Sequence, residues 1–126
     1  MKPVRLIATA ALVFAAAAAH ALDVKPYSAA ALAEAQKADK PVALHFRADW
    51  CPTCRAQDKV LESMKSEPGL DLTVLAANYD TEKELKKQFA IRSQSTLVVL
   101  RGQKETGRSI NETSAAGLRT ALKTAL

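Results

Sequence analysis

Cys51 and Cys54, in the stretch Asp49-Trp50-Cys51-Pro52-Thr53-Cys54, are the only two cysteines in the 126-residue chain and constrain its fold more than any other feature. They fall where one periodicity gives way to another. Upstream, Val42-Ala43-Leu44-His45-Phe46 is a short apolar run of strand type, and downstream Val60, Leu61 and Met64 recur at helical spacing. A thiol at a strand-to-helix junction meets the unpaired N–H groups of the first turn and the positive end of the helix dipole, both of which favour thiolate over thiol. Pro52 suits the first helical position, where its missing N–H costs nothing, so Cys51 is expected at the N-cap. Cys54 then lies on the same helix face and within disulfide reach. The expected division of labour is an exposed Cys51 nucleophile with a depressed pKa and a more buried Cys54 that resolves the mixed disulfide, the oxidised form carrying a Cys51–Cys54 bridge.

Two other uses of such a pair fit less well. Half of a structural zinc site needs two further Cys or His ligands, and beyond residue 21 the chain offers only His45. A purely structural disulfide closing so short a loop constrains the unfolded chain little. Redox chemistry is the reading that the strand, the pair and the helix support together, with no cofactor and no metal required.

Residues 1–21 have the form of a secretory signal. Lys2 and Arg5 make a charged start, Leu6 to Ala19 an alanine-rich apolar core, and Ala19-His20-Ala21 a small-x-small cleavage site, so cleavage is expected after Ala21. The apolar stretch is short for a membrane span. The remainder, residues 22–126, is long enough for one domain with one core. Without Lys2 and Arg5, sixteen basic side chains face thirteen acidic ones, a net charge of +3 that is too mild to argue for nucleic acid or a membrane surface as partner. Export places the cysteine pair in a compartment where disulfides persist, most simply the bacterial periplasm.

Within residues 22–126 the pattern predicts a short strand at Asp23 to Tyr27, a Ser28-capped helix to Ala38, the strand after Pro41, and a helix from Pro52 to Ser66 stopped by Glu67-Pro68-Gly69. A buried strand from Leu70 to Tyr79 follows. Thr81-Glu82-Lys83-Glu84 has the form of a capping box opening a helix with Leu85 and Phe89 inward. Thr96 to Arg101 and Glu105 to Ile110 bracket a hairpin turn at Gly102, and Thr113 or Ser114 caps a last helix. The order β-α-β-α-β-α-β-β-α implies an α/β fold with parallel strands joined by crossover helices and an antiparallel pair at one edge.

These residues resemble the thioredoxin-fold family, and in particular its exported members. Ala48-Asp49-Trp50-Cys51-Pro52-Thr53-Cys54 is similar to the family's active-site segment, Ala90 to Leu97 to the segment facing it, and Asp80 falls at the usual distance before that segment. The wording around the cysteines is close to periplasmic electron-transfer members such as the C-terminal domain of the thiol:disulfide interchange protein DsbD. The resemblance implies a central mixed sheet of four to five strands flanked by helices. It also implies thiol:disulfide exchange with protein substrates, as a monomer, in the reducing direction, with electrons arriving from a membrane thiol transporter. Trp50, Pro52 and Thr53 would meet the substrate polypeptide together with Gln94, Ser95 and Thr96, the facing loop offering its backbone as a strand edge.

The chain departs from the family at three positions. Ser95 stands where the family has a cis-proline, His45 where many members have a buried carboxylate, and Ala76 where that carboxylate's lysine partner sits. His45 is therefore the candidate proton acceptor for the Cys54 thiol, beside the plainer reading of a hydrogen-bonded core histidine. The intact strand after Ser95 favours a cis bond before it. Ser95 also suggests an alternative function, a metal- or iron–sulfur-binding module in which the exposed cysteine pair of two chains shares a cluster.

Overall fold

The computed structural model describes residues 3, 11, 12 and 21–126. The predicted export signal lies almost wholly outside them. In chain order the elements are β1 (Asp23–Pro26), α1 (Ala29–Lys37), β2 (Pro41–Arg47), α2 (Pro52–Met64), β3 (Thr73–Asn78), α3 (Lys83–Gln88), β4 (Thr96–Arg101), β5 (Lys104–Ile110) and α4 (Ala115–Lys123). This is the predicted order. The strands form one five-stranded sheet, β1-β3-β2-β4-β5, in which β1, β3 and β2 are parallel and β4 and β5 antiparallel to their neighbours.

β2 is central because its side chains are apolar on both faces, which only a strand covered on both sides tolerates. Its alternation divides the core. Val42, Leu44 and Phe46 join Leu32 of α1 and Leu85 of α3 on one face of the sheet. Ala43 points the other way, into a cluster with Leu61 and Met64 of α2 and Leu118 and Leu122 of α4. His45, two residues on, is carried by the same alternation to the α2 side. At β2 its register partners are Ala76 on β3 and Leu97 on β4, so the missing lysine's position lies directly beside it.

The helix starts differ from expectation in one place. Ser28 and Ser114 cap α1 and α4, each accepting an N–H three residues on at 3.0 Å. At α3 the predicted capping box does not form: the N-cap is Glu82 and makes no side-chain cap bond. The Asn78 side chain instead accepts from the N–H groups of Asp80 and Thr81 at 2.9 and 3.3 Å, so the turn into α3 is organised by the end of β3. The predicted strand from Leu70 also starts later, at Thr73. Leu70 and Leu72 are buried, but in a turn closed by the Leu72 N–H on the Leu70 carbonyl at 3.0 Å.

Candidate active site

β2 ends at Arg47, and the next four residues turn the chain into α2 at the carboxyl end of the parallel strands. Arg47 holds that turn from below: it donates to both oxygens of Asp58 on α2 at 2.9–3.1 Å and to Asp49 at 2.9 Å. Arg55 donates to the Asp49 carbonyl at 2.9 Å, and the Trp50 indole N–H to Asp80 at 2.7 Å. Trp50 is 56% exposed, so its ring is presented to solvent while its polar edge is tied to the domain.

Cys51 is the N-cap of α2, with extended backbone, and Pro52 opens the helix. Its Sγ accepts the Cys54 N–H at 3.2 Å, so the sulfur occupies the place that a capping oxygen usually fills. Both cysteines are free thiols. Burial pushes the Cys51 thiol up, but hydrogen bonds from Cys54, from Ser95 and from the N–H groups of Cys54 and Thr53 outweigh it, and the net shift is below the ordinary cysteine value. Cys54 shifts the other way, because burial and its bond to Cys51 outweigh its contact with Ser95. The depressed pKa of Cys51 agrees with expectation; its expected exposure does not. The Cys51 residue is only 2% exposed, enclosed with Ala48 and Cys54 and roofed by the Ser95 side chain.

Ser95 is the centre of the facing loop. No peptide bond among the described residues is cis, so the expectation of a cis bond before Ser95 is corrected. Ser95 takes a left-handed backbone instead, φ +65°. A non-proline cis bond costs about 2.5–4 kcal/mol and a left-handed residue about 1–2 kcal/mol, so the trans solution is the cheaper one. It also uses the backbone inward. The Ser95 N–H donates to the Phe46 carbonyl at 2.9 Å, and its carbonyl accepts from Asn111 N–H at 3.0 Å and Gln57 Nε2 at 3.1 Å. Its Oγ lies 3.2 Å from Cys51 Sγ and 3.1 Å from Cys54 Sγ.

The six residues expected to meet substrate therefore divide. Trp50 and Pro52 are exposed, and Thr53 and Gln94 half-buried. Ser95 and Thr96 are buried; Thr96 Oγ1 donates to the Ser93 carbonyl at 2.8 Å, and Ser95 is turned to the sulfurs, so neither side chain faces a partner.

Gln57, which the sequence reading passed over, links the loop to His45. It is wholly buried on the α2 stripe of Cys54, Leu61 and Met64. That polar residue on an apolar stripe was the available signal. Its Nε2 donates to the Ser95 and Glu112 carbonyls at 3.1 and 2.9 Å, which leaves its Oε1 to accept from His45 Nε2 at 2.8 Å. The neutral His45 ring therefore carries its proton on Nε2, and Nδ1 faces Asp58 at 3.6 Å. His45 makes no hydrogen bond to Cys54, and its Nε2 is already a donor. Its connection to the sulfurs runs through Gln57 and Ser95.

Burial lowers the His45 pKa; the bond to Gln57 and the Asp58 carboxylate oppose this in part, and Arg47 adds to it. A folded-state value below the unfolded value of about 6.5 means that the unfolded chain binds the proton more readily, so stability is complete above that pH and declines below it. His45 is the only histidine in residues 22–126. The melting midpoint is expected to fall between about pH 7 and 5, with a slope of at most about 1.4 kcal/mol per pH unit. A His45→Phe variant should lose that slope. A flat or rising midpoint over this window in the unaltered protein would contradict a neutral buried ring.

The family model described as Thioredoxin matches residues 24–124, nearly all of the folded part. The chain belongs to the thioredoxin family. A thioredoxin of Mycobacterium bovis is 32% identical over 80 residues, covering 64% of this chain and 69% of that one. The bifunctional thioredoxin reductase/thioredoxin of Mycobacterium leprae is 31% identical over 86 residues, 68% of this chain, which spans only 19% of that longer protein. Among solved structures, Trxlp from Edwardsiella tarda superposes with a TM-score of 0.74 at 42% identity, covering 79% of this chain and 98% of that one. As a thioredoxin-family member with its cysteine pair intact, the chain is a thiol:disulfide oxidoreductase, and the family's substrates are protein disulfides.

Proposed function

We propose that this protein works in the periplasm as an exported, monomeric reductant of protein disulfides, receiving its electrons from a membrane thiol transporter. The observation that carries the reading is the Cys51 sulfur seated at the α2 N-cap beside the Cys54 thiol. Cys51 thiolate attacks a partner disulfide, and Cys54 displaces the reduced partner, leaving the Cys51–Cys54 bridge. Trp50, Pro52, Thr53 and Gln94 are the surface on which the partner rests. The similarity of the Ala48 to Cys54 segment to reducing, electron-transfer members of the family supports the reducing direction. The charged start, the apolar core and Ala19-His20-Ala21 support export.

Cys54→Ser, which removes the resolving thiol, is expected to trap a mixed disulfide with partner proteins, and Cys51→Ser to trap none; the reverse result would exchange the roles. Equilibration with glutathione is expected to give a potential nearer the roughly −270 mV of thioredoxin than the roughly −120 mV of the strong oxidase DsbA. A value near the oxidase end would remove the reductant reading. An N-terminus at Leu22 on periplasmic protein would support the location, and retention of residues 1–21 in a cytoplasmic fraction would overturn it.

The metal-binding alternative has one observation in its favour: Ser95 Oγ lies 3.2 Å from Cys51 Sγ and 3.1 Å from Cys54 Sγ, so an oxygen and two sulfurs converge. Among the described residues no group of three or more His, Cys, Asp or Glu side chains gathers at any one place, so a closed thiolate site would need a second chain. Metal content and colour of the purified protein discriminate the two.

A further inference from the structure

The Ser95 hydroxyl bridges the two reacting sulfurs from inside the domain. It has one proton and two lone pairs, so between Cys51 Sγ at 3.2 Å and Cys54 Sγ at 3.1 Å it can donate to one while accepting from the other. With Cys51 ionised, the order is fixed: Cys54 S–H donates to Oγ, and Oγ–H donates to the thiolate. The main chain that carries the hydroxyl is anchored on both sides, by its N–H on Phe46 and by its carbonyl under Asn111 and Gln57. Among the described residues, Cys51 apart, no other side chain that carries a transferable proton bonds the Cys54 thiol. His45 Nε2 is bound to Gln57, and Asp58 is turned to Arg47.

We propose that Ser95 is a catalytic residue, its hydroxyl carrying the proton from Cys54 to the departing substrate sulfur when the mixed disulfide is resolved. The proposal rests on the dithiol–disulfide reading of the cysteine pair. Once Cys51 is bonded to the substrate, its sulfur no longer holds the charge that orients the Ser95 proton. The substrate sulfur lies one S–S bond, about 2.05 Å, beyond it. As Cys54 Sγ attacks Cys51 Sγ in line, the substrate sulfur departs on the far side of Cys51; the Cys54 proton passes to Ser95 Oγ, and the proton already on Oγ passes through one bridging water to the leaving sulfur. The Cys51–Cys54 bond forms, the bond from Cys51 to the substrate sulfur breaks, and the bonding pair leaves with that sulfur, which departs as a thiol. Ser95 ends as it began, and no other reactant is consumed. The same path in reverse serves oxidation of a substrate thiol.

The test compares two leaving groups in single turnover near pH 7. Glutathione disulfide gives a mixed disulfide whose departing glutathione needs a proton, whereas 5,5′-dithiobis(2-nitrobenzoate) gives one whose departing thiolate needs none. Ser95→Ala is expected to slow release of glutathione by on the order of 100-fold, and release of the nitrothiobenzoate far less. Ser95→Thr, which keeps a hydroxyl, should recover part of the glutathione rate. A merely positional role would slow both releases equally, and that result, or no slowing of either, would overturn the proposal. If Ser95→Ala does not fold, Ser95→Gly removes the same hydroxyl while suiting the positive φ, and the comparison stands on it. Failure of the unaltered protein to form a mixed disulfide with either probe would strike the dithiol–disulfide reading itself, which the Ser95 comparison leaves separate.

Discussion

Ser95→Pro, the change that would restore the family's usual residue, is expected to lower stability by about 3 kcal/mol or more, a fall of at least about 12 °C in melting midpoint for a domain of this size. Two physical terms combine. Proline holds φ near −65°, whereas Ser95 sits at +65°, so the loop cannot keep its path. Proline also has no N–H, and the Phe46 carbonyl, now paired at 2.9 Å, would be left unsatisfied in the core. The hydroxyl bridge to the sulfurs disappears with the side chain. Urea denaturation of the two proteins checks this, and an unchanged or raised midpoint would show that the facing loop accommodates the family's proline after all.

Gln57→Leu is expected to cost a similar amount, about 3 kcal/mol, although leucine is closer in polarity to the stripe that it would join. Gln57 makes three hydrogen bonds, buried ones to His45 and Ser95 and a partly buried one to Glu112. The Ser95 carbonyl would retain Asn111, but the His45 Nε2–H and the Glu112 carbonyl would lose the partners that Gln57 provides, at about 1–3 kcal/mol each. The change should also raise the Cys51 pKa, because the loop that aims Ser95 at the sulfur is no longer held from α2. Thiolate absorbance followed against pH reads this second effect independently of stability. A loss below about 1 kcal/mol with an unshifted thiol titration would show that the network is not what positions Ser95.

Most of the architecture was legible because its causes are local. The apolar alternation of β2, Pro52 one residue past Cys51, the serine caps of α1 and α4 and the Gly102 turn each act within a few residues, and each element was found where these signals place it. α3 was the exception: Thr81 and Glu84 fit a capping pattern, yet the Asn78 side chain had already taken the turn's N–H groups. The signal was present but a neighbour competed for the same donors.

At the site, the sequence by itself determined that a cysteine would cap a helix at the end of a buried strand, and hence that its sulfur would be drawn toward thiolate. The burial of that sulfur, the left-handed Ser95 and the Gln57 bridge were decided only by tertiary structure. Gln57 meets Ser95 across 38 residues and Glu112 across 55, distances in sequence that are closed by packing α2 against the sheet and pairing β4 with β2. No propensity within α2 distinguishes a buried glutamine from an exposed one. What distinguishes it is the set of unpaired groups facing it, the His45 ring and two carbonyls, and these exist as a set only after the strands and helices that carry them have come together.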